Sequence, residues 1–309
     1  MSVNQQTVAP SGPRRVRRSP LAHLERESVL GWVLMAPTLF VLLTLVAYPF
    51  LVAIWMSVTD RVVAQPGNFI GLKNFQDLLQ SQIFRQTVTN SFVYTFAGVP
   101  LKLIGGVGVA LALNRQFKGL RLVRAALLLP WIVPAVLITM AWLWMFDASL
   151  GVFNWILLRF GVVRQGIPWL ADPNLAMACL VVVNSWRAIP FWAITVLAGL
   201  QTIPEELYEA AVIDGAGSVA KFRYVTLPLV MPVLGVVLLL STIWTFADFQ
   251  TIYALTGGGP ANSTHLFATL SFQTALVTGR LGQGAAISLF LFPVFVIVVI
   301  LHLRSLRKD

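Results

Sequence analysis

Two runs of the sequence place polar and aromatic side chains on one face of a predicted helix. One run has the spacing i, i+4, i+7, the other i, i+3, i+4, i+7, and each follows a single helix face. The residues are Asn184, Ala188 and Phe191 in the first run, and Ser241, Trp244, Thr245 and Asp248 in the second. A hydroxyl-rich ligand binds to hydrogen-bonding side chains that lie beside flat aromatic faces. The alternative interpretation is ordinary helix–helix contact, which Ser, Thr and Asn also provide in membranes.

Charged residues occur within or beside these runs. Our hypothesis is that Arg187 and Asp248 pair across two neighbouring helices, or that Arg187 binds an acidic solute such as a uronate or a phosphorylated polyol. The alternative is that Arg187 extends outward to water. Lys102, in another apolar segment, is expected to extend to the membrane surface or to pair elsewhere rather than to contact a ligand.

No group of residues predicts catalysis or metal binding. His23, His265 and His302 lie far apart, Cys179 is the only cysteine, and no GxxxxGK[ST] phosphate-binding loop occurs. We therefore expect no catalytic site, no metal site and no cofactor in this chain. A membrane enzyme is the weakest of the functional classes for the same reason.

The composition indicates a membrane protein. Of the 309 residues, 57% are hydrophobic and only 11% are charged, whereas about 25% are charged in a typical soluble domain. The chain has too little polar surface to cover a globule in water. The same counts exclude a disordered chain, and the single cysteine excludes a disulfide scaffold.

Apolar segments predict an all-α polytopic membrane protein with six transmembrane helices. The first uncharged run covers residues 29–59, and about 20 residues are enough to span a bilayer. The six helices are predicted at about residues 29–58, 92–113, 125–146, 175–200, 229–255 and 285–303. Pro130, Pro134 and Pro190 fall inside these helices and are expected to kink or break them.

The distribution of basic residues predicts that both termini are cytoplasmic. With the N-terminus inside, the cytoplasmic segments carry 14 Lys and Arg residues and the outer segments carry 6, as the positive-inside rule expects. Much of the net charge of +10 is therefore an orientation signal rather than evidence for nucleic-acid binding. Residues 1–28 are predicted to be a disordered basic tail, 29–303 the membrane domain and 304–309 a cytoplasmic C-terminus.

The predicted cytoplasmic loop 201–228 is longer and more structured than a simple connection between two transmembrane helices requires. Pro204, followed by two glutamates, suits the start of a short helix, in which Tyr208, Ala211 and Val212 form an apolar stripe. Asp214 and Gly215 predict a turn, and a second short helix is expected to close at Pro228. The two short helices offer a docking surface for another protein or, alternatively, rest on lipid headgroups.

The same loop resembles the EAA loop of permease subunits from bacterial ABC importers. The matching motifs are Glu209-Ala210-Ala211, Asp214-Gly215-Ala216 and Leu227-Pro228. The carbohydrate branch, with its maltose-type and glycerol-phosphate-type permeases, fits best. Further matches are Gly71-Leu72-Lys73-Asn74-Phe75, Asn90-Ser91, Leu255-Thr256-Gly257-Gly258-Gly259-Pro260 with Ser263-Thr264, and Gly284-Ala285-Ala286-Ile287-Ser288. The Thr-Gly-Gly-Gly-Pro element is typical of the first of the two permeases in such an importer.

The resemblance implies the permease fold of a type I ABC importer and a set of partners. The loop would couple to a separate ATPase subunit through Glu209, Ala210, Ala211, Asp214 and Gly215. ATP and Mg would be bound by that partner. The complex would contain a homologous second permease, two ATPase subunits and an extracytoplasmic solute-binding protein, in the bacterial cytoplasmic (inner) membrane.

The resemblance also implies a solute site for a sugar or a sugar-like compound. The two polar and aromatic runs coincide with positions that line the sugar site of maltose-type permeases. Asp248 replaces an amide of that pattern and Trp244 replaces a smaller Phe, so the identity of the sugar stays open. An ABC permease for a non-carbohydrate solute is the alternative, and a secondary transporter is a weaker one.

Overall fold

The computed structural model describes residues 27–306. The predicted tail 1–28 lies outside this range except for its last two residues, which belong to the first helix. Within the described range the backbone consists of helices, turns and one isolated bridge between Thr59 and Phe69. The all-α prediction is confirmed.

Helices of very different length follow one another along the chain. They are α1 (residues 27–57), α2 (Lys73–Gln80), α3 (Gln82–Leu113), α4 (Leu120–Ile132), α5 (Ala135–Met145), α6 (Val152–Arg159), α7 (Pro173–Leu200), α8 (Glu205–Ile213), α9 (Ser218–Phe246), α10 (Gln250–Leu255), α11 (Phe267–Val277), α12 (Leu281–Leu289) and α13 (Leu291–Leu306). Among the described residues, five stretches are long and apolar enough to cross a membrane, and the bent pair α4–α5 gives a sixth.

The chain divides into two compact units between Val52 and Ala53, within α1. In the first unit, α1 contains a π turn at Leu43–Ala47 and exposes large apolar side chains such as Trp32, Leu34 and Phe40. Such a surface suits lipid or another apolar partner. The second unit holds all of the remaining helices and both of the sites described below.

The third predicted span is broken rather than continuous. Helices α4 and α5 meet at an angle of 92°, and Pro134 is the residue that precedes α5. Proline lacks the N–H that a continuing helix needs, so a break at this position follows from the sequence. In contrast, Pro190 lies inside α7, which continues to Leu200.

The fifth span, predicted at residues 229–255, differs from the observed helix at both of its ends. The second helix of the loop 201–228 does not close at Pro228, because it continues without a break as the long apolar helix α9. A π turn at Phe222–Thr226 comes just before Pro228. At the other end α9 stops at Phe246, so Asp248 lies in the break before α10 and not within the helix as predicted.

Helices α3 and α7 form the central pair of the second unit. A Cβ atom on Gly106 of α3 would lie 2.3 Å from the Cβ of Trp192 on α7, so only glycine permits this close approach. Trp192 is fully buried and packs with Val99 of α3 and Val237 of α9. This packing brings three helices together around the indole ring and fixes the distance between their polar side chains.

Two side-chain amides organise the segments between the long helices: buried Asn154 bonds within residues 147–173, and half-buried Asn90 joins α3 to the loop before α11. The side chain of Asn154 donates to the carbonyls of Ala148 and Ile167, each at 2.9 Å, and accepts from the Ile167 N–H at 3.0 Å. Asn90 donates from α3 to the carbonyls of Ser263 and His265 at 2.8 and 3.2 Å. His265 lies in the loop before α11, and its burial lowers the pKa of the ring.

Candidate functional site

A cavity of about 130 Å³ lies where α3, α4 and α7 meet the last turns of α9. It contains all seven of the predicted solute residues and four further side chains. The predicted ones are Asn184, Ala188, Phe191, Ser241, Trp244, Thr245 and Asp248, and the additional ones are Lys102, Trp131, Arg187 and Trp192. The structure therefore brings the two polar and aromatic runs together at one place.

Asp248 is the centre of a buried hydrogen-bond network in this cavity. Its Oδ2 accepts from the Tyr94 hydroxyl at 2.8 Å and from the Asn184 Nδ2 at 2.6 Å, and its Oδ1 accepts from the Thr251 N–H at 3.2 Å. The break between α9 and α10 makes the last of these bonds available, because Thr251 is in the first turn of α10. Asn184 thus turns its amide NH₂ toward the carboxylate.

The proposed ion pair between Arg187 and Asp248 is not formed. Both residues line the cavity, but the hydrogen bonds of the Asp248 carboxylate come from Tyr94, Asn184 and the Thr251 backbone. The physical reason is local: the break after Phe246 places Asp248 where these three neutral donors already surround its oxygens.

Lys102 is buried, so it does not extend to the membrane surface; it bonds within the bundle instead, which is the second of the two expected alternatives. It is 2% exposed, and its Nζ donates to the Thr245 Oγ1 at 2.7 Å. The Thr245 hydroxyl in turn donates a hydrogen bond to the carbonyl of Ser241, one turn earlier in α9. The position of Lys102 inside α3 was visible in the sequence, but the direction of its side chain depends on α7 and α9, which a sequence pattern does not position.

Aromatic rings form one wall of the cavity. The ring of Phe191 stacks on Trp131 with a centroid distance of 5.7 Å and lies 5.3 Å from the ring of Trp244. Trp131 and Trp244 are each about half exposed, at 50% and 52%. Trp131 was missed by the sequence analysis because it reaches the cavity only through the break between α4 and α5.

A larger groove of about 770 Å³ follows the N-terminal part of α9 and has a different character. Its lining is apolar except for Arg223, and it includes Phe222, Leu227 and Met231. It offers few hydrogen bonds to a hydroxyl-rich solute. The smaller cavity, with its charged, amide, hydroxyl and aromatic side chains, is the better candidate site.

The loop 201–228 has the predicted helix and turn. Helix α8 ends at Ile213, and Gly215 follows with φ +76°, a left-handed conformation. The Gly215 N–H bonds to the Val212 carbonyl at 3.0 Å and the Ala216 N–H to the Ala211 carbonyl at 2.8 Å. This pair of bonds is a Schellman motif, which ends a helix at a glycine. The left-handed conformation required at the end of α8 therefore explains why glycine follows Asp214.

The face that the loop presents to solvent is both acidic and apolar. Glu209, Ala210, Asp214 and Gly215 are exposed, whereas Ala211 is half-buried. The predicted stripe of Tyr208, Ala211 and Val212 is divided, since Val212 is 57% exposed. The Tyr208 hydroxyl lies 3.0 Å from the Thr226 Oγ1, which anchors α8 on the π turn of α9.

Comparison with known proteins identifies the family. Residues 102–308 match the family model described as "binding-protein-dependent transport system inner membrane component". The chain belongs to this family. It is 38% identical over 287 residues, 92% of this chain and 96% of the relative, to a protein named trehalose/maltose transport system permease protein MalF of Thermococcus litoralis.

Two further comparisons agree with this assignment. The chain is 35% identical to a protein named sulfoquinovosyl glycerol transport system permease protein SmoG of Agrobacterium fabrum, covering 92% of each chain. Its fold matches a chain of a bacterial ABC transporter involved in the import of the acidic polysaccharide alginate, with a TM-score of 0.81, 23% identity and coverage of 93% and 98%. The protein is an ABC importer permease, a multi-pass membrane transport subunit whose ATPase is a separate subunit.

Proposed function

We propose that this permease imports a sugar or a sugar-like solute through the cavity that contains Asn184, Phe191 and Asp248. The observation that carries the proposal is the composition of that cavity, whose lining combines hydrogen-bonding side chains with the adjoining rings of Trp131, Phe191 and Trp244. Sugar hydroxyls bind to the former, and sugar C–H faces pack on the latter. The names of the relatives, which mention trehalose, maltose and sulfoquinovosyl glycerol, support the same class of solute.

The size of the cavity supports a shared pathway. Its 130 Å³ is small beside the roughly 300 Å³ or more of an ordinary ligand site. In our proposal this chain supplies one wall, and a homologous second permease supplies the other. The half-exposed rings of Trp131 and Trp244 would then contact solute where the two subunits meet.

The cytoplasmic loop 201–228 is the proposed contact with the ATPase. Glu209, Ala210, Asp214 and Gly215 lie on its exposed face, and Ala211 lies at the edge of that face. ATP and Mg would bind to two ATPase subunits, and their closure would move the loops and turn the cavity from one side of the membrane to the other. An extracytoplasmic binding protein would deliver the solute to the outer segments, with both termini of the permease in the cytoplasm.

Reconstitution of the importer tests this proposal. The chain is co-purified with its second permease and ATPase subunits and placed in proteoliposomes, and ATP hydrolysis is measured with the binding protein and a panel of sugars, polyols, amino acids and peptides. We expect stimulation by a sugar or a polyol alone. Phe191→Ala should reduce it about twofold to tenfold, since ring contacts of this kind contribute on the order of 0.5–1.5 kcal/mol.

Phe40→Ala is the matched control, because Phe40 is an exposed aromatic residue of α1 and does not line the cavity. It should leave the stimulation unchanged. Stimulation by an amino acid or a peptide instead of a sugar would support the alternative of a non-carbohydrate ABC permease and contradict the proposal.

A further inference from the structure

The solute cavity carries more positive charge than its carboxylate balances. Lys102 and Arg187 are two cations on its lining, and Asp248 is its one anion. Lys102 is almost completely buried, yet its hydrogen bond goes to the neutral Thr245 hydroxyl. Arg187 is partly buried on the same wall. An ammonium group held in an apolar bundle without a counter-ion is costly.

The carboxylate of Asp248 is occupied by other donors. Tyr94 and Asn184 both donate to its Oδ2, and the Thr251 N–H donates to its Oδ1. Asp248 therefore acts on the cavity mainly by orienting Asn184. Because the NH₂ group of Asn184 points to Asp248, its Oδ1 is left buried without a hydrogen-bond partner among the described residues.

We infer that the solute carries an anionic group, a carboxylate, a sulfonate or a phosphate ester, which binds between the Lys102 ammonium and the Arg187 guanidinium. The Asn184 Oδ1 accepts a hydrogen bond from a hydroxyl of the same solute. Lys102 and Arg187 are then residues that determine specificity, and Asp248 is a positioning residue. This inference deepens the proposed function and rests on it.

The electrostatic argument favours an anion over a neutral sugar. A hydrogen bond between charged groups contributes more than one between neutral groups, and it contributes most in a site from which water is excluded. A neutral sugar would leave a net charge of one cation uncompensated on the lining of the cavity. An acidic sugar supplies the missing counter-charge and brings the sum of the formal charges in the occupied site to zero.

The test compares a neutral sugar with its acidic counterparts in the reconstituted importer. Glucose, glucuronate and 6-deoxy-6-sulfoglucose serve as probes, and both binding to the binding protein and stimulated ATP hydrolysis are measured. We expect an acidic sugar to stimulate hydrolysis about tenfold or more above glucose, which corresponds to a charged hydrogen bond. Lys102→Met and Arg187→Gln should each reduce this preference, so that the acidic sugar and glucose stimulate hydrolysis about equally.

Controls separate the role of charge from effects on folding. Lys118→Met removes an exposed lysine away from the cavity and should leave the preference unchanged. Lys102→Arg keeps the charge and should retain most of the preference, while elution of the variant complex on gel filtration shows whether it is folded. Asp248→Asn should weaken stimulation by every sugar without reversing the preference for acidic ones.

Two results would overturn the inference while leaving the proposed function intact: a preference of the unmodified importer for glucose, or an unchanged acidic preference in both Lys102→Met and Arg187→Gln. Stimulation only by solutes that are not sugars is a different outcome, and it would overturn the proposed function as well.

Discussion

Three donors around the carboxylate of Asp248 show how a charge is held at an irregular point of an apolar bundle. Tyr94 comes from α3, Asn184 from α7 and the Thr251 N–H from the start of α10. Each donor belongs to a different element, so the carboxylate ties these helices together at the level of the cavity. A single side chain therefore connects the packing of the bundle with the orientation of Asn184, an amide of the proposed solute site.

Removing the donor on α3 should loosen this connection. We expect Tyr94→Phe to lower the stability of the solubilised protein by about 0.6–2 kcal/mol, the range for one hydrogen bond between membrane helices. The melting temperature in detergent, followed by tryptophan fluorescence, measures the effect. Tyr253→Phe is the matched control, since Tyr253 is half exposed and packs against Phe249. Equal melting temperatures for the two variants would contradict the assigned role of Tyr94.

The close approach of α3 and α7 depends on one residue without a side chain. Gly106→Ala would place a Cβ atom 2.3 Å from that of Trp192, and overpacking of this kind costs about 1–3 kcal/mol. We expect a lower melting temperature and a weaker binding of solute, because Trp192 also lines the cavity. Gly108→Ala in the same helix has no atom within 4 Å of its new Cβ and should cost nothing. A loss of stability in both variants would show that the close contact is not the cause.

At the scale of elements, the end of α8 is determined by backbone conformation. Gly215 has φ +76° in a Schellman motif, whereas Gly217 has an ordinary φ of −69° two residues later. A Cβ meets no atom within 4 Å at either position, so the two sites differ in conformation and not in available space. Substitutions at these two glycines can therefore test the effect of backbone conformation separately from steric clash.

We expect Gly215→Ala to disturb the turn and Gly217→Ala to be tolerated. A non-glycine residue in the left-handed region costs about 1–2 kcal/mol, and a shifted α8 would present Glu209 and Asp214 at a changed angle. The measurement is co-purification of the ATPase with each permease variant, together with solute-stimulated ATP hydrolysis. If both variants retained the ATPase and the full stimulation, the turn would have no part in coupling.

The sequence predicted the elements that are defined by uninterrupted apolar runs. The spans predicted at 29–58 and 175–200 agree with Leu30–Ser57 and Pro173–Leu200 within two residues. Helix α3 begins ten residues before its predicted start. Its first turns are polar, but Phe84 among them is buried against Phe267 and Phe290. Tertiary packing, which an apolar run does not reveal, extends the helix.

The sequence was enough to predict most of the residues that line the candidate site, but not which partners its charged side chains bond to. Helical spacing grouped Ser241, Thr245 and Asp248, and all three line the cavity. The residues that follow Phe246 continue the apolar pattern of the helix. Nothing in the sequence therefore indicates that the helix ends there and that Asp248 lies outside it. Likewise, whether Lys102 turns inward depends on the Thr245 hydroxyl of another helix. These are contacts over long sequence separations, which local patterns do not contain.

At the scale of the whole molecule, the proposed function depends on which side of the membrane each segment faces. ATP-driven import requires the loop 201–228 to face the cytoplasm, where ATP is present. It also requires the segments that meet the binding protein to face the opposite side. The distribution of basic residues predicts the loop inside and the segment 60–88 outside. The chain itself offers a convenient way to measure this.

Labelling of single cysteines should reveal the orientation, because the native Cys179 is only 5% exposed and gives a low background. Gln65 and Ser218 are both exposed, one in the predicted outer segment and the other at the start of α9. We expect Gln65→Cys to react with a membrane-impermeant maleimide in spheroplasts and Ser218→Cys to react only in inverted vesicles. The unmodified protein, whose one cysteine is Cys179, measures the background for each preparation. The opposite pattern would place the loop outside, where ATP is not available, and the coupling proposal would then fail with the orientation.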